Sequence, residues 1–319
     1  MENLEKAIET IKQQLPNLEL YENEPMKKHC SFKIGGPVRA LAMPSSISSL
    51  TKICSILKEY DVTPMMLGNG SNILFPDEGL KNVFMIGSGK LQKIYLLTDG
   101  SIYCEAGVSL SKLALFAQQN SLSGLEFASG IPGTLGGACM MNAGAYGGEL
   151  KDCIKSVVCA YLPEQSFCEF PAEDCGFCYR GSRFKREPGY VNLSAVLSCP
   201  KGNADEIAEK MRDFNARRRE KQPLELPSAG SAFKRPEGYY AAQLIDEAGM
   251  KGYSVGGAQV SEKHAGFVVN KGDATAHDVY ELMMQVKKRV FETSGVTIEP
   301  EIIMLPPDFT PGTDTENEV

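Results

Sequence analysis

The stretch SGIPGTLGGACMMNAGAYGG, residues 129–148, carries seven glycines and no Lys, Arg, Asp or Glu. Glycine at that density costs backbone entropy on folding, so a chain keeps it where the main chain must turn tightly or approach something closely. A second glycine loop, GNGSNIL, lies at 68–74 and follows the strand pattern TPMML. The end of a strand in an α/β unit is where backbone N–H groups are free to hold phosphates. Either loop alone reads as a tight turn. Two of them, in neighbouring α/β units, suit one extended anionic ligand lying between them, such as a dinucleotide-like cofactor. Neither is a Rossmann or P-loop signature. Ile73 stands where G-x-G-x-x-G needs its last glycine, while GSGK at 87–90 has Phe84 at the P-loop's first glycine position and Leu91 after the lysine.

The pattern around these loops sets the organisation. At 319 residues the chain exceeds one ordinary core. An amphipathic opening helix carries Leu4, Ile8, Ile11 and Leu15. A strand VRALAMP, a helix SSISSLTKICSILKEYDV, the strand TPMML and a strand NVFMIG complete a first unit over 1–90. A second, 91–200, has the strand SIYCEAGV, a helix opened by Ser109, and the strands IKSVVCAYL, SFCEFP and YVNLSAVLS, whose short gaps predict antiparallel pairing. A third, 201–305, opens with a helix capped by Asn203 with Glu206 three residues on. It continues through strands around SVGGAQV and AGFVVN, a helix at 275–295, and a strand VTIEPEIIML. Residues 306–319, polar and proline-bearing, read as a disordered tail.

Composition narrows the partners. A net charge of −7 argues against general nucleic-acid binding, but Arg180 to Arg235 holds 13 Lys or Arg against 7 Asp or Glu. That basic island fits a small anionic ligand. The N-terminus has no basic, apolar leader pattern, and no apolar run approaches a membrane span, so a cytoplasmic chain is expected. Ten cysteines are scattered as small hydrophobes. CGFC at 175–178 has redox spacing but no following helix pattern, and with three histidines and no second C-x-x-C no metal site is expected.

Seven motifs, CSFKIGG, GNGSNIL, SGIPGTLGGACMMNAGAYGG, YRGSRF, PSAGSAFKRP, LIDEAGMKG and IEPEI, occur in the order found in the UDP-N-acetylenolpyruvoylglucosamine reductase family. The likeness runs from about residue 25 to 305. The short path from YRGSRF to the third unit resembles the family's shorter, type II class. The resemblance implies an α+β protein: an FAD-binding fold of the vanillyl-alcohol-oxidase/PCMH type in two α/β subdomains, plus a C-terminal α+β substrate-binding domain. It implies non-covalent FAD, NADPH as co-substrate, and reduction of UDP-N-acetylglucosamine enolpyruvate to UDP-N-acetylmuramate for peptidoglycan, by a monomer or weak oligomer. FAD would lie on Gly68, Asn69, Gly70, Ser71, Asn72 and Ile73 of one loop. On the other it would meet Ser129, Gly130, Ile131, Pro132, Gly133, Thr134, Gly136 and Gly137, then Asn142, Ala143 and Gly144.

Matched to the family's motifs, Arg180 of YRGS would bind the substrate carboxylate and stabilise the enolate, a task suited to a bidentate cation that never loses its charge. Ser231 of AGSAF matches the proton donor. Glu301 of EPEI matches the family's glutamate; Glu299, two residues earlier on an expected strand, shares its face, so spacing alone does not separate them. Lys221, Arg235 and His264 are the expected substrate contacts. Arg235 replaces an asparagine often found there, and Gly266 does likewise in HAGF. Two other readings remain on the residues alone. One is an oxidase with FAD tethered to a histidine, for which His29 is the candidate ahead of the second loop. The other is a nucleotide-sugar binding protein without catalysis.

Overall fold

The computed structural model describes residues 2–311. The opening helix α1 (Glu2–Gln14) buries Leu4, Ala7, Ile8 and Ile11. It packs with α2 (Ile47–Glu59), whose buried stripe is Leu50, Ile53, Cys54, Ile56 and Leu57. Ser46 caps α2 by accepting from the Ser49 N–H. Both helices cover one face of a four-stranded sheet in the order Glu19–Pro25, Pro37–Met43, Leu80–Gly87, Met65–Leu67, of which the last three run parallel. Side chains alternate across that sheet. Phe84 and Ile86 join the helices, while Val83 and Met85 face the other way.

The second unit is a five-stranded antiparallel sheet, ordered Ser166–Pro171, Ile154–Tyr161, Tyr190–Leu197, Ile102–Glu105, Ile94–Leu96. The helices α3 (Leu110–Gln119), capped by Ser109, and α4 (Leu135–Met141) share its core. A single turn, α5 (Arg183–Arg186), follows the YR hairpin. Next, α6 (Ala204–Lys221) is capped by Asn203, whose side chain accepts from the Asp205 and Glu206 N–H groups. Met211 and Phe214 of α6 pack against the second unit's core.

The third sheet is ordered Ser228–Ser231, Phe267–Asn270, Ala258–Val260, Ser254–Val255. It packs with α7 (Ala241–Glu247) and α8 (Ala276–Ser294), the latter capped by Thr275 and ended by Gly295 at φ +70°. Its core is continuous with the far face of the first sheet: Val83, Met85 and Phe75 lie in one cluster with Leu282, Val286 and Ile302. Asp77 of the first unit caps α8 directly, accepting from the Ala276 N–H at 2.9 Å and the His277 N–H at 3.3 Å.

The stretch 296–305, expected as a strand, departs from that. The strand proper is only Ile303–Met304, which runs parallel to Ile73–Leu74, and an isolated antiparallel bridge pairs Pro300 with Phe233. Just before it the chain spends its hydrogen bonds on a different partner: Lys234 N–H donates to Glu299 O and Glu301 N–H to Ala232 O, each at 2.8 Å. Pro300 between them has no N–H to offer a ladder. Of the tail expected over 306–319, residues 312–319 lie outside the described residues, while Phe309 packs against the shared core. Among the described residues no helix is long and apolar enough to cross a membrane.

Candidate active site

The two glycine loops touch. A Cβ on Gly68 would stand 2.5 Å from Thr134 Oγ1, so only glycine permits the approach. Asn69 Nδ2 ties the loops by donating to Pro132 O at 3.1 Å. Gly70 turns at φ +57°, with the His29 carbonyl 2.4 Å from where a Cβ would sit, and its own carbonyl accepts from the Ser31 N–H at 3.1 Å. Beside this contact opens a cavity of about 410 Å³ lined by Lys28, His29, Ser31, Lys33, Gly68 and Asn69 among others. Thr134 Oγ1 is buried and has no partner. Gly133 and Gly137 leave bare main chain on the second loop, although a Cβ at either would meet only ordinary contacts. An orphan hydroxyl, bare backbone and two lysines fit a pyrophosphate-bearing cofactor.

Other residues of the two loops are used within the protein. Gly136 faces inward: its N–H donates to Ala106 O at 2.8 Å, and a Cβ would come 3.0 Å from Ala106 Cβ. Asn142, buried at φ +42°, donates to Glu149 Oε2 at 2.9 Å and Cys178 O at 3.0 Å, and accepts from the Lys151 N–H. Ser129 donates to Glu126 O and accepts from Asn215. The Gly130 carbonyl accepts from Arg218. Ile131 packs on the second core, Ala143 N–H donates to Ala138 O, and Gly144 O lies 3.5 Å from Arg180 Nη2. Ile73 pairs with Ile303, and Asn72 Nδ2 donates to Glu301 O at 3.1 Å.

Several contributors escaped the sequence reading. Asn215 and Arg218, three apart on one face of α6, press on Gly130, and Phe214 stacks on Tyr146 at 4.6 Å. Part of the basic island thus serves to hold a glycine loop. Its charge was readable, but its target was not. Lys28, Ser31 and Lys33 belong to or adjoin CSFKIGG, a motif that signalled the region without naming its cations.

Arg180 lies in a tight hairpin closed by the Cys178–Gly181 bridge, at φ +54°. For a non-glycine residue that conformation costs on the order of 1–3 kcal/mol and persists only where surroundings impose it. Its Nε donates to Glu301 Oε1 at 2.5 Å, and the Glu301 side chain is 12% exposed. Burial pushes the Glu301 carboxyl above the usual carboxylate range, with Arg180, Lys185 and Lys234 pulling against it. Glu299 instead is 67% exposed and paired with Lys234 at 2.9 Å. The environments separate two carboxylates that spacing left equal. Ser231, exposed, follows Gly230 at φ +79° and a register shift in its strand, and it immediately precedes Ala232, the backbone partner of Glu301. A bulge of this kind re-aims a side chain.

Lys221 is exposed at the end of α6. His264 is half-buried; its Nδ1 accepts from the Gly266 N–H at 3.1 Å and its ring meets Phe267 edge-on. Burial lowers its pKa, and Lys251 and Lys221 push the same way. The Arg235 guanidinium lies 4.1 Å over the Tyr240 ring, while the Arg235 backbone N–H donates to Tyr179 Oη at 3.0 Å. In CGFC, Cys175 is buried and burial pushes its thiol up to about 11, unlike a reactive cysteine. Among the described residues no cluster of His, Cys, Asp or Glu could hold a metal.

Residues 38–162 match the family model of an FAD binding domain, and residues 222–305 that of the UDP-N-acetylenolpyruvoylglucosamine reductase C-terminal domain. A protein named UDP-N-acetylenolpyruvoylglucosamine reductase from Syntrophomonas wolfei is 48% identical over 90% of this chain and 95% of its own length. Its namesake from Caldanaerobacter subterraneus is 46% identical over 93% and 97%. The crystal structure of UDP-N-acetylenolpyruvylglucosamine reductase from Thermus caldophilus superposes with a TM-score of 0.77 at 33% identity, covering 91% of this chain and 99% of that one. The α+β class with an FAD-binding fold holds, the chain is an enzyme, and it belongs to the UDP-N-acetylenolpyruvoylglucosamine reductase family.

Proposed function

We propose that this chain uses NADPH and one non-covalent FAD to reduce UDP-N-acetylglucosamine enolpyruvate to UDP-N-acetylmuramate, a cytoplasmic step towards peptidoglycan. The observation that carries the reading is the half-buried Arg180–Glu301 pair, with Asn72 of the first glycine loop bonded to the Glu301 carbonyl. Thr134 Oγ1, the main chain at Gly68–Ser71, Gly133 and Gly137, and the cations Lys28 and Lys33 would hold FAD. When bound, FAD would supply the hydride for the vinyl group, with NADPH as the source of electrons.

The remaining chemistry falls to side chains. Glu301 occupies the Nε side of Arg180, which leaves the Nη edge for the substrate carboxylate; Nη2 has only a 3.5 Å contact with Gly144 O. As enolate charge develops there, a fixed guanidinium stabilises it without any reorganisation. The Ser231 hydroxyl delivers the proton to the neighbouring carbon. Arg235, Lys221 and His264 would receive the anionic and polar parts of the nucleotide sugar. Mass analysis of the product tests this: the enolpyruvyl compound should gain two hydrogens in the wild type and remain unchanged with Arg180→Ala. Equal conversion by that variant rejects the reading.

A further inference from the structure

Arg180 keeps a left-handed backbone that its side chain does not favour, and the structure shows what imposes it. Ser182, fully buried, anchors the start of α5 by donating from Oγ to Met140 O at 2.8 Å. From that single turn two cations reach back into the hairpin. Arg186 donates from Nη2 to Gly176 O at 2.8 Å and from Nη1 to Cys178 Sγ at 3.3 Å. Lys185 Nζ donates to the carbonyl of Arg180 itself at 3.4 Å. Lys185 also lies within electrostatic reach of Glu301.

Resting on the function proposed above, we propose that Lys185 is a positioning residue: it holds the Arg180 backbone through its carbonyl, within electrostatic reach of Glu301, and so keeps Arg180 aimed at that carboxylate. The groups around Glu301 come from three elements. Arg180 comes from the hairpin, Lys185 from α5 and Lys234 from the segment that pairs with Glu299. Glu149, bonded to Asn142 and Lys151, adds a negative charge within electrostatic reach of Arg180. Lys185 is exposed along its side chain; partial desolvation of its ammonium lowers the pKa, Lys234 pushes the same way, and Glu301 and Cys178 oppose. Its charge is therefore maintained partly by Glu301, and the dependence is mutual. Removing it takes away one of the interactions that offset the burial of Glu301, so the Glu301 pKa rises further.

The test uses the full-length flavoprotein carrying Lys185→Met, Lys185→Arg or Glu301→Gln. The pH profile of kcat/KM for the enolpyruvyl substrate is measured, together with calorimetric affinity for UDP-N-acetylmuramate over the same pH range. The wild type should lose both as pH falls through the Glu301 pKa, and Glu301→Gln should lack that limb. In Lys185→Met the limb should move up by about half to one pH unit, as expected for losing one partly screened neighbouring charge. Lys185→Arg should restore it. A limb abolished by Glu301→Gln but unmoved in Lys185→Met, even with a lowered Tm, overturns the positioning role alone. A limb that survives Glu301→Gln overturns the role given to Glu301 and this inference with it.

Discussion

Glu301 reaches 121 residues back along the chain to hold Arg180 Nε at 2.5 Å, and its own carbonyl is held by Asn72 at 3.1 Å. One residue thus joins the arginine hairpin, the first glycine loop and the C-terminal unit. The parallel pairing of Ile303 with Ile73 fixes that junction from below. The carboxylate is set in place by main-chain bonds on both sides, so its orientation does not depend on a flexible strand end.

Arg180→Lys should separate charge from geometry. An ammonium retains the positive charge but cannot hold Glu301 and a substrate carboxylate along two edges. Loss of about 2–4 kcal/mol of transition-state stabilisation is expected, with a raised KM for the enolpyruvyl substrate. Steady-state kinetics with fixed NADPH measure it; wild-type constants would show that Arg180 does not grip the substrate.

Ser231→Ala should leave FAD content and NADPH consumption in the first half-reaction near wild type. Turnover of the enolpyruvyl substrate should fall about a hundredfold to ten-thousandfold, the range of general acid catalysis. Stopped-flow absorbance resolves the two halves. Unchanged turnover would move the proton donor elsewhere, with Glu301 next in line.

The glycines of GTLGG should not respond alike. Gly137 is exposed and a Cβ there meets Thr134 Oγ1 at an ordinary 3.7 Å, so Gly137→Asp places a carboxylate against cofactor phosphates without a clash, and the protein should purify colourless with a near-native Tm. Gly136→Asp drives a side chain into Ala106 and should lower Tm along with flavin content. A fully yellow Gly137→Asp protein would remove the loop from the cofactor site. Acid precipitation of the wild type should release all flavin into the supernatant; retention in the pellet would favour a tether, with His29 on the cavity as its candidate.

How legible was this in advance? The long helices α1, α2, α3, α6 and α8 were, because apolar residues at helical spacing and the caps at Ser109 and Asn203 agree with each other; the short α4, α5 and α7 were not read. Residues 296–305 were not. Their apolar pattern reads as one strand, yet tertiary pairing divides them between Ala232 and the strand at Ile73. With no regular strand at 299–301, face parity could not arbitrate between Glu299 and Glu301; Lys234 and Arg180 do. A run of glycines likewise carries no direction, so which of Gly136 and Gly137 faces inward emerges only from Ala106. Lys185 carried no pattern at all until its distance to the Arg180 carbonyl was known.

Asp77 offers a check on how the first and third units are joined. Asp77→Ala frees the Ala276 and His277 N–H groups at the start of α8, with an expected loss of about 1 kcal/mol. Denaturant unfolding measures it. No loss would mean that solvent replaces the cap and that the shared core alone joins the units.

The most direct measurement follows NADPH absorbance in purified flavoprotein with and without UDP-N-acetylglucosamine enolpyruvate. Sustained NADPH oxidation that requires the enolpyruvyl compound, yields UDP-N-acetylmuramate in equal amount, and is lost in Arg180→Ala is the expected result. NADPH oxidation at the same rate without that compound, or none with it, would contradict the account.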